Sequence, residues 1–274
     1  MAPPRAMTTA TARAEPSPLE IARALAPRIR ERAAEIETTR QLPSDLVVEL
    51  ANARLFKVAL PEAEGGLGAD VLTALQVIEE VARADGSTGW CVAMGINTFR
   101  QSAQLAPDVR RQLFFSDPIG VSAGSARERG RAVAVPGGYR VSGHWFFASG
   151  CMHSALLHGA CKVFDGDTPR LRPNGDQEIR ICYFFPKSQA RIIDNWNVSG
   201  LRGTGSHDIA VDDVFVPEER TFSAQDRRAR VTGPMNRMHG FDLAGCGFCC
   251  VGLGVARAAI DAFVDRPPIC CASG

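Results

Sequence analysis

Hydrophobic positions follow two regimes along this chain. From residue 17 to about 115 they recur every three or four residues, whereas from Ile119 to Val216 they alternate or gather in short runs broken by Gly and Pro. The first regime predicts helices. Ser17-Pro18-Leu19-Glu20 joins an N-cap serine, a proline at the first helical position and a glutamate three residues after the cap, and Ile21, Leu25, Ile29, Ala33 and Ile36 follow at helical spacing. A second helix is expected after Pro43-Ser44 with Leu46, Val47 and Leu50 turned inward. A third is expected behind the cap Asp70, with Leu72, Leu75, Ile78, Val81 and Ala82 on its buried side. Gly86-Ser87 should separate it from a fourth around Trp90 to Ile96, and Pro107 should open a fifth ending near Phe115.

The second regime predicts strands at Ile119 to Ala123, Ala132 to Val135, Ala155 to Val163, Ile179 to Phe185, Ala190 to Ile193 and Ile209 to Val216. Between them, Gly137 to Cys151 reads as a hairpin: Gly137-Gly138 breaks the chain, Tyr139 to Val141 is a short strand, Ser142-Gly143 is a tight turn, and His144 to Ala148 returns. Strict alternation would put Trp145, Phe147 and Ser149 on one face, where two aromatics and a hydroxyl could cover a planar heterocycle and bond a ring nitrogen. The same pattern also suits a hairpin that buries its aromatics in a core. After a basic connector with Arg227, Arg228, Arg230 and Arg237, Phe241 to Val264 is helical again. The expected architecture is therefore α+β with segregated parts. It comprises a disordered tail (1–16), an N-terminal helical domain (17–117), a central antiparallel β-barrel or sandwich (118–222) and the start of a C-terminal helical bundle (223–274).

A net charge of +1 on 274 residues gives no basic excess for nucleic acid or an anionic membrane surface, and no apolar run is read as a membrane span. Nine cysteines, an odd number without framework spacing, point to reduced thiols in a cytoplasm. Cys246-x-x-Cys249 lacks a second pair to complete a zinc site. His153 and His158 lack the helical H-E-x-x-H pattern, so no metal is expected. Gly65-Gly66-Leu67-Gly68 reads as a turn between helices, and no G-x-S-x-G elbow marks a serine hydrolase. From Trp196 to Asp208, Gly200, Gly203 and Gly205 surround Arg202 and the hydroxyls of Ser199, Thr204 and Ser206. Such a loop is either a wide turn of a β-domain or one that lets backbone approach a ligand closely.

Five segments in order carry a family resemblance: L-P-E-A-E-G-G-L-G at 60–68, S-T-G-W at 87–90, S-A-G-S-A at 122–126, G-Y-R-V-S-G-H-W-F-F-A-S-G at 138–150, and D-N-W-N-V-S-G-L-R-G-T-G-S-H-D at 194–208 followed by D-D-V-F-V-P-E-E. Together they resemble the acyl-CoA dehydrogenase superfamily, and more closely its two-component flavin-dependent monooxygenases. The resemblance implies reduced flavin, FMN or FAD, held between the β-domain and the last bundle. It implies Ser125, Phe147 and Ser149 at the flavin, with Ser149 near N5, and Trp90 and Trp145 bordering the flavin or substrate pocket. Asn97 stands where many hydroxylases carry a histidine. It further implies O2 and a small substrate of aromatic or related kind, a separate flavin reductase as partner, and a homotetramer. The dehydrogenase motifs T-E-P-x-x-G-S-D and W-I-T-N are replaced by S-A-G-S-A-R-E-R-G and F-A-S-G, which favours oxygenation over acyl-CoA dehydrogenation. The family bundle continues for about a hundred further residues, in keeping with ordinary domain sizes. Arg266 to Gly274 reads as a prematurely ended tail, so the expectation is that the catalytic groups of the terminal domain are missing and activity is weak or absent. The alternative readings are an acyl-CoA dehydrogenase and a non-catalytic oligomeric remnant.

Overall fold

In the computed structural model, residues 15–226 and 240–265 are described, so the expected tail, the basic connector at Arg227 to Arg237 and the end from Arg266 lie outside them. The helical part contains α1 (Pro18–Glu31), α2 (Ala33–Thr39), α3 (Ser44–Asn52), α4 (Val71–Ala84), α5 (Gly86–Ser102) and α6 (Pro107–Phe114). Local chemistry sets several of these starts. Ser17 Oγ accepts the Glu20 amide at 3.3 Å while the Glu20 carboxylate accepts the Ser17 amide at 2.8 Å, a complete capping box. Asp70 Oδ1 accepts the Thr73 amide at 2.8 Å at the head of α4. Gly86-Ser87 does not separate two helices as expected; it opens α5, because Asp85 caps it. The buried side of α4 is Ala74, Val77, Ile78, Val81 and Ala82, and Leu72 is 66% exposed, since it lies in the first turn ahead of the packed face.

The second part is one eight-stranded sheet: β1 (Ser122–Val135), β2 (Gly138–Trp145), β3 (Leu156–Asp165), β4 (Thr168–Pro169), β5 (Ile179–Phe184), β6 (Arg191–Ile193), β7 (Asp208–Pro217) and β8 (Thr221–Ser223). Its order is β6-β7-β2-β1-β3-β5-β8, with β4 beside β3. The sheet is mixed, not wholly antiparallel, because β1 and β3 run parallel. The hairpin turn is at Pro136-Gly137, not at Ser142-Gly143: Val135 pairs with Gly138, and Gly137 takes φ +82°. Ser142-Gly143 instead continues β2 as strand, and the bulge lies opposite on β7, where Asp212 and Asp213 together face Ser142 and Asp213 takes φ +48°.

Glycines on three strands make room for Trp145. The indole is fully buried, donates from Nε1 to the Ala160 carbonyl at 2.9 Å, and occupies a slot walled by Gly130, Gly143 and Gly159, each of which would overlap the ring if it carried a Cβ. Trp145 is thus the centre of the β core with Val141, Cys161, Phe184 and Ile209. It does not share a face with Phe147 and Ser149. β2 ends at Trp145, and Phe147 takes φ +65°, so alternation stops there and the next side chains are aimed by loop geometry.

A last helix, α7 (Gly240–Val264), packs on α4 and α5. Gly254 lies against the backbone of Glu79 and Arg83, and ion pairs Arg83–Asp261 at 2.6 Å and Arg257–Glu79 at 2.5 Å tie the two helices. The expectation that no apolar run approaches a membrane span is corrected here. Asp242–Val264 has a mean hydropathy of 1.8 and is long and apolar enough to cross one by length and composition, although one such helix is equally a helix with an apolar packing face. Leu253, Val255, Ile260, Phe263 and Val264 are exposed on it.

Two outcomes follow from the β core. Gly159→Ala should cost about 1–3 kcal/mol in urea unfolding, because the added methyl must displace the Trp145 ring; an unchanged midpoint would contradict the slot. His158 is buried with Nδ1 2.7 Å from Ser122 Oγ, and burial pushes its pKa down from 6.5 to about 4. The unfolded chain binds that proton more readily, so the stability attached to neutral His158 is present above pH 6.5 and is lost as pH falls towards 4. A His158→Gln variant should show a shallower fall in urea midpoint between pH 7 and 4.5 than the parent.

Candidate functional site

Three segments distant in sequence meet beside the end of β2. The first is α5, whose cap Asp85 accepts from the Thr88 amide at 2.6 Å and the Thr88 hydroxyl at 2.8 Å; burial raises the Asp85 pKa against the pull of these bonds. The cap fixes the start of α5 and hence the height of Trp90, one turn in. The second is the extension of β2. Its Ala148 amide donates to the His207 carbonyl at 2.9 Å and its Gly150 amide to the Thr204 carbonyl at 2.7 Å.

The third is the loop from Asp194 to Asp208, which is latched from several sides. Arg40 grips the Asp194 carboxylate with both terminal nitrogens at 2.7 and 2.9 Å, holding that carboxyl below its usual pKa, and also reaches the Trp196 carbonyl at 3.1 Å. Burial lowers the pKa of His207, and its Nδ1 accepts the amides of Asn195 and Trp196, both at 3.2 Å, so the neutral ring carries its proton on Nε2. Gly203 packs so closely on Ile36 and Ser87 that no side chain fits. The loop is therefore a built element joining α2, α5 and the sheet.

At the meeting point, hydroxyls line up. Trp90 Nε1 donates to Ser149 Oγ at 3.0 Å, Ser149 Oγ lies 2.7 Å from Ser206 Oγ, Ser206 Oγ lies 2.7 Å from Thr204 Oγ1, and Thr204 Oγ1 donates to the Leu201 carbonyl at 2.8 Å. Ser149, Ser206 and Thr204 are all buried, Ser149 the least completely at 9% exposed. Phe147 next to it is 51% exposed, meets the edge of Trp196 at 5.9 Å and lies 5.5 Å from the Arg127 guanidinium. Ser125 is nearly buried and accepts the Arg127 amide at 3.3 Å, which places it on the β1 bulge that carries this arginine.

On the other side, Trp90 stacks on Phe248 of α7 with centroids 4.6 Å apart and planes 11° from parallel. Asn97 is seven residues further along α5, about 10 Å away on the same face. It lines a narrow crevice between α4, α5 and α7, with free space of only about 10 Å³, beside Ala74, Ile78, Met94, Leu243 and Gly247. Its Oδ1 is buried without a hydrogen-bond partner.

Of the residues expected from the sequence, Trp90 and Ser149 are brought into direct contact, Phe147 and Ser125 are linked through Arg127, and Asn97 faces the crevice. Trp145 is removed from any pocket wall by its complete burial. Thr204, Ser206, Trp196, Phe248 and Arg127 are not among the site residues expected from the sequence. The glycine and hydroxyl pattern of residues 196–208 was the available signal for three of them, and only the fold shows that it meets Ser149. Among the described residues no group of His, Cys, Asp and Glu side chains could hold a metal ion. An exposed phenyl ring, an indole stacked on a phenyl ring and a serine hydroxyl near the surface are chemistry suited to a planar heteroaromatic ring.

Comparison with known proteins agrees with this architecture. Residues 19–105 match the family described as acyl-CoA dehydrogenase, N-terminal domain. Over that segment, about a third of the chain, it is similar to the acyl-CoA dehydrogenase superfamily. Relatives include an indole-3-acetate monooxygenase of Pseudomonas putida, 33% identical over 85% of this chain and 58% of the relative. Another is the flavin-dependent monooxygenase oxygenase subunit HsaA of Rhodococcus jostii, 32% identical over 89% of this chain and 63% of the relative. The crystal structure of the HsaA monooxygenase from M. tuberculosis superposes with a TM-score of 0.82 at 29% identity, covering 90% of this chain and 68% of that one. The chain spans about three fifths of the length of these curated relatives.

The Trp90–Ser149 bond gives a direct check. Ser149→Ala should leave the indole N–H without its acceptor, cost about 1 kcal/mol, and move the Trp90 indole ¹H–¹⁵N resonance upfield. A stationary resonance would show that the bond is not made.

Proposed function

We propose that this protein is the oxygenase component of a two-component monooxygenase that hydroxylates a small aromatic substrate with reduced FMN or FAD and O2. The observation that carries the reading is the convergence of Trp90, Ser149 and the loop hydroxyls beside the exposed face of Phe147. The oxygenase names of the relatives support it. Reduced flavin, when bound, supplies the electrons for oxygen activation. The protein's own part is to hold and orient. Phe147 offers a ring face, Ser149 a hydrogen-bonding oxygen, and Ser125 with Arg127 a polar edge. The narrow crevice beyond the Trp90–Phe248 stack is lined mainly by apolar side chains, which supports a water-poor surrounding, and the buried, unpartnered Asn97 oxygen is a free acceptor on its wall.

A separate reductase would deliver the reduced flavin. The exposed apolar side of α7 supports burial of that face in an assembled homo-oligomer. Seven cysteines standing free among the described residues support a reducing, cytoplasmic setting. The second reading, an acyl-CoA dehydrogenase, is favoured by the family model alone.

The experiment is to titrate the protein anaerobically with reduced FMN and FAD, then admit ¹⁸O2 with a panel of phenols and indoles under a reductase supply. Saturable binding of reduced flavin and a product heavier by one ¹⁸O atom are expected. Flavin bleaching by acyl-CoA in place of hydroxylation would move the assignment to the dehydrogenase. No flavin binding in either redox state, with the assembly intact, would leave a non-catalytic protein.

A further inference from the structure

We propose that Ser206 and Thr204 are positioning residues that set the direction of the Ser149 hydroxyl, so that Ser149 offers its ligand only an acceptor and the site selects a ring N–H over a bare ring nitrogen. The proposal rests on the flavin reading, in which the discriminated groups are N5–H of the reduced isoalloxazine and the lone pair on N5 of the oxidised ring.

The direction follows from the two ends of the hydroxyl chain. At one end the Trp90 indole Nε1–H can only donate. At the other the Leu201 carbonyl can only accept, and it already takes Trp196 Nε1–H at 3.1 Å and the Thr204 amide at 3.2 Å. Between them stand three hydroxyls with one proton each. Thr204 must give its proton to Leu201, because otherwise two oxygen lone pairs would face each other across 2.8 Å. Thr204 then accepts from Ser206 at 2.7 Å, and Ser206, its proton committed, accepts from Ser149 at 2.7 Å. The Ser149 proton is thereby directed inward. One of its lone pairs takes the Trp90 N–H, and the other is left for whatever lies against the exposed part of the residue.

Turning the Ser149 proton outward to meet a lone pair would require every link to reverse, ending on an unbonded pair of acceptors at Leu201. Ser206 is 4% and Thr204 2% exposed, so water is poorly placed to relieve that arrangement. No charged group is needed for the discrimination; it arises from counting protons along a buried chain whose ends have opposite hydrogen-bonding character. The preference for a ring N–H over a ring lone pair should be on the order of ten- to hundredfold, the range set by leaving one buried polar group unpaired.

The test compares dissociation constants for oxidised and reduced FMN and FAD in the parent protein and in Thr204→Val, Ser206→Ala and Thr204→Ser, each checked for parent-like circular dichroism. The parent should favour the reduced form. In Thr204→Val the tail of the chain is gone, Ser149 is free to donate, and oxidised flavin should bind roughly tenfold tighter, a gain that loosened structure would not produce. Ser206→Ala should act in the same sense, and Thr204→Ser should restore the parent ratio. Oxidised 5-deazaflavin, with carbon in place of N5, should bind the parent and Thr204→Val equally. Flavin binding with a ratio unchanged in both Thr204→Val and Ser206→Ala would overturn the proposal while leaving the flavin reading in place. Absence of binding by either redox form to the parent would remove both.

Discussion

The seating of Trp145 between three glycines is the constraint from which the site takes its shape. A ring of that size can enter the middle of a sheet only where Gly143 on its own strand and Gly130 and Gly159 on β1 and β3 leave space, and its N–H then finds the Ala160 carbonyl. With the indole anchored, β2 must stop, and the chain leaves the sheet at a defined point. Phe147 crosses into the left-handed region and turns outward, and two residues later Ser149 points in towards α5. The same pair of side chains would be interchangeable core residues if the strand simply continued.

The second requirement is that the partner surfaces be held still without a metal or disulfide among the described residues. The loop from Asp194 to Asp208 manages this with backbone groups as much as side chains. Arg40 grips one end, neutral His207 accepts two amides in the middle, and the β2 extension donates two amides to the loop's carbonyls. Buried neutral acceptors of this kind are demanding, because each must be satisfied in full. Once satisfied they define a single arrangement, and the hydroxyl line from Trp90 to Leu201 is its product.

Much of the fold was legible in the chain. Capping chemistry is local: Ser17 with Glu20 and Asp70 with Thr73 act over three residues, so sequence spacing alone places them. Glycine was less legible, because its meaning depends on what lies opposite. Gly143 looked like half of a tight turn and lies inside β2 against an indole, whereas Gly137, read as a simple break, makes the turn. Leu72 carries the right spacing for a buried face yet projects from the first turn of α4 into solvent, since periodicity cannot say where a neighbour ends. Alternation misplaced Trp145 beside Phe147 and Ser149 for a related reason: it holds only while the backbone remains extended.

By itself the sequence determined the succession of helical and strand segments, the caps, the family motifs and the hydroxyl and aromatic residues available for a planar ligand, since each of these depends on residues near one another in the chain. Tertiary structure alone decided that Ser149 meets Trp90 from 59 positions away and Ser206 from 57, that Trp145 belongs to the core, and that Asn97 opens on a crevice. Those outcomes depend on which surfaces the packed helices and the sheet bring into contact, and no local spacing encodes that distance.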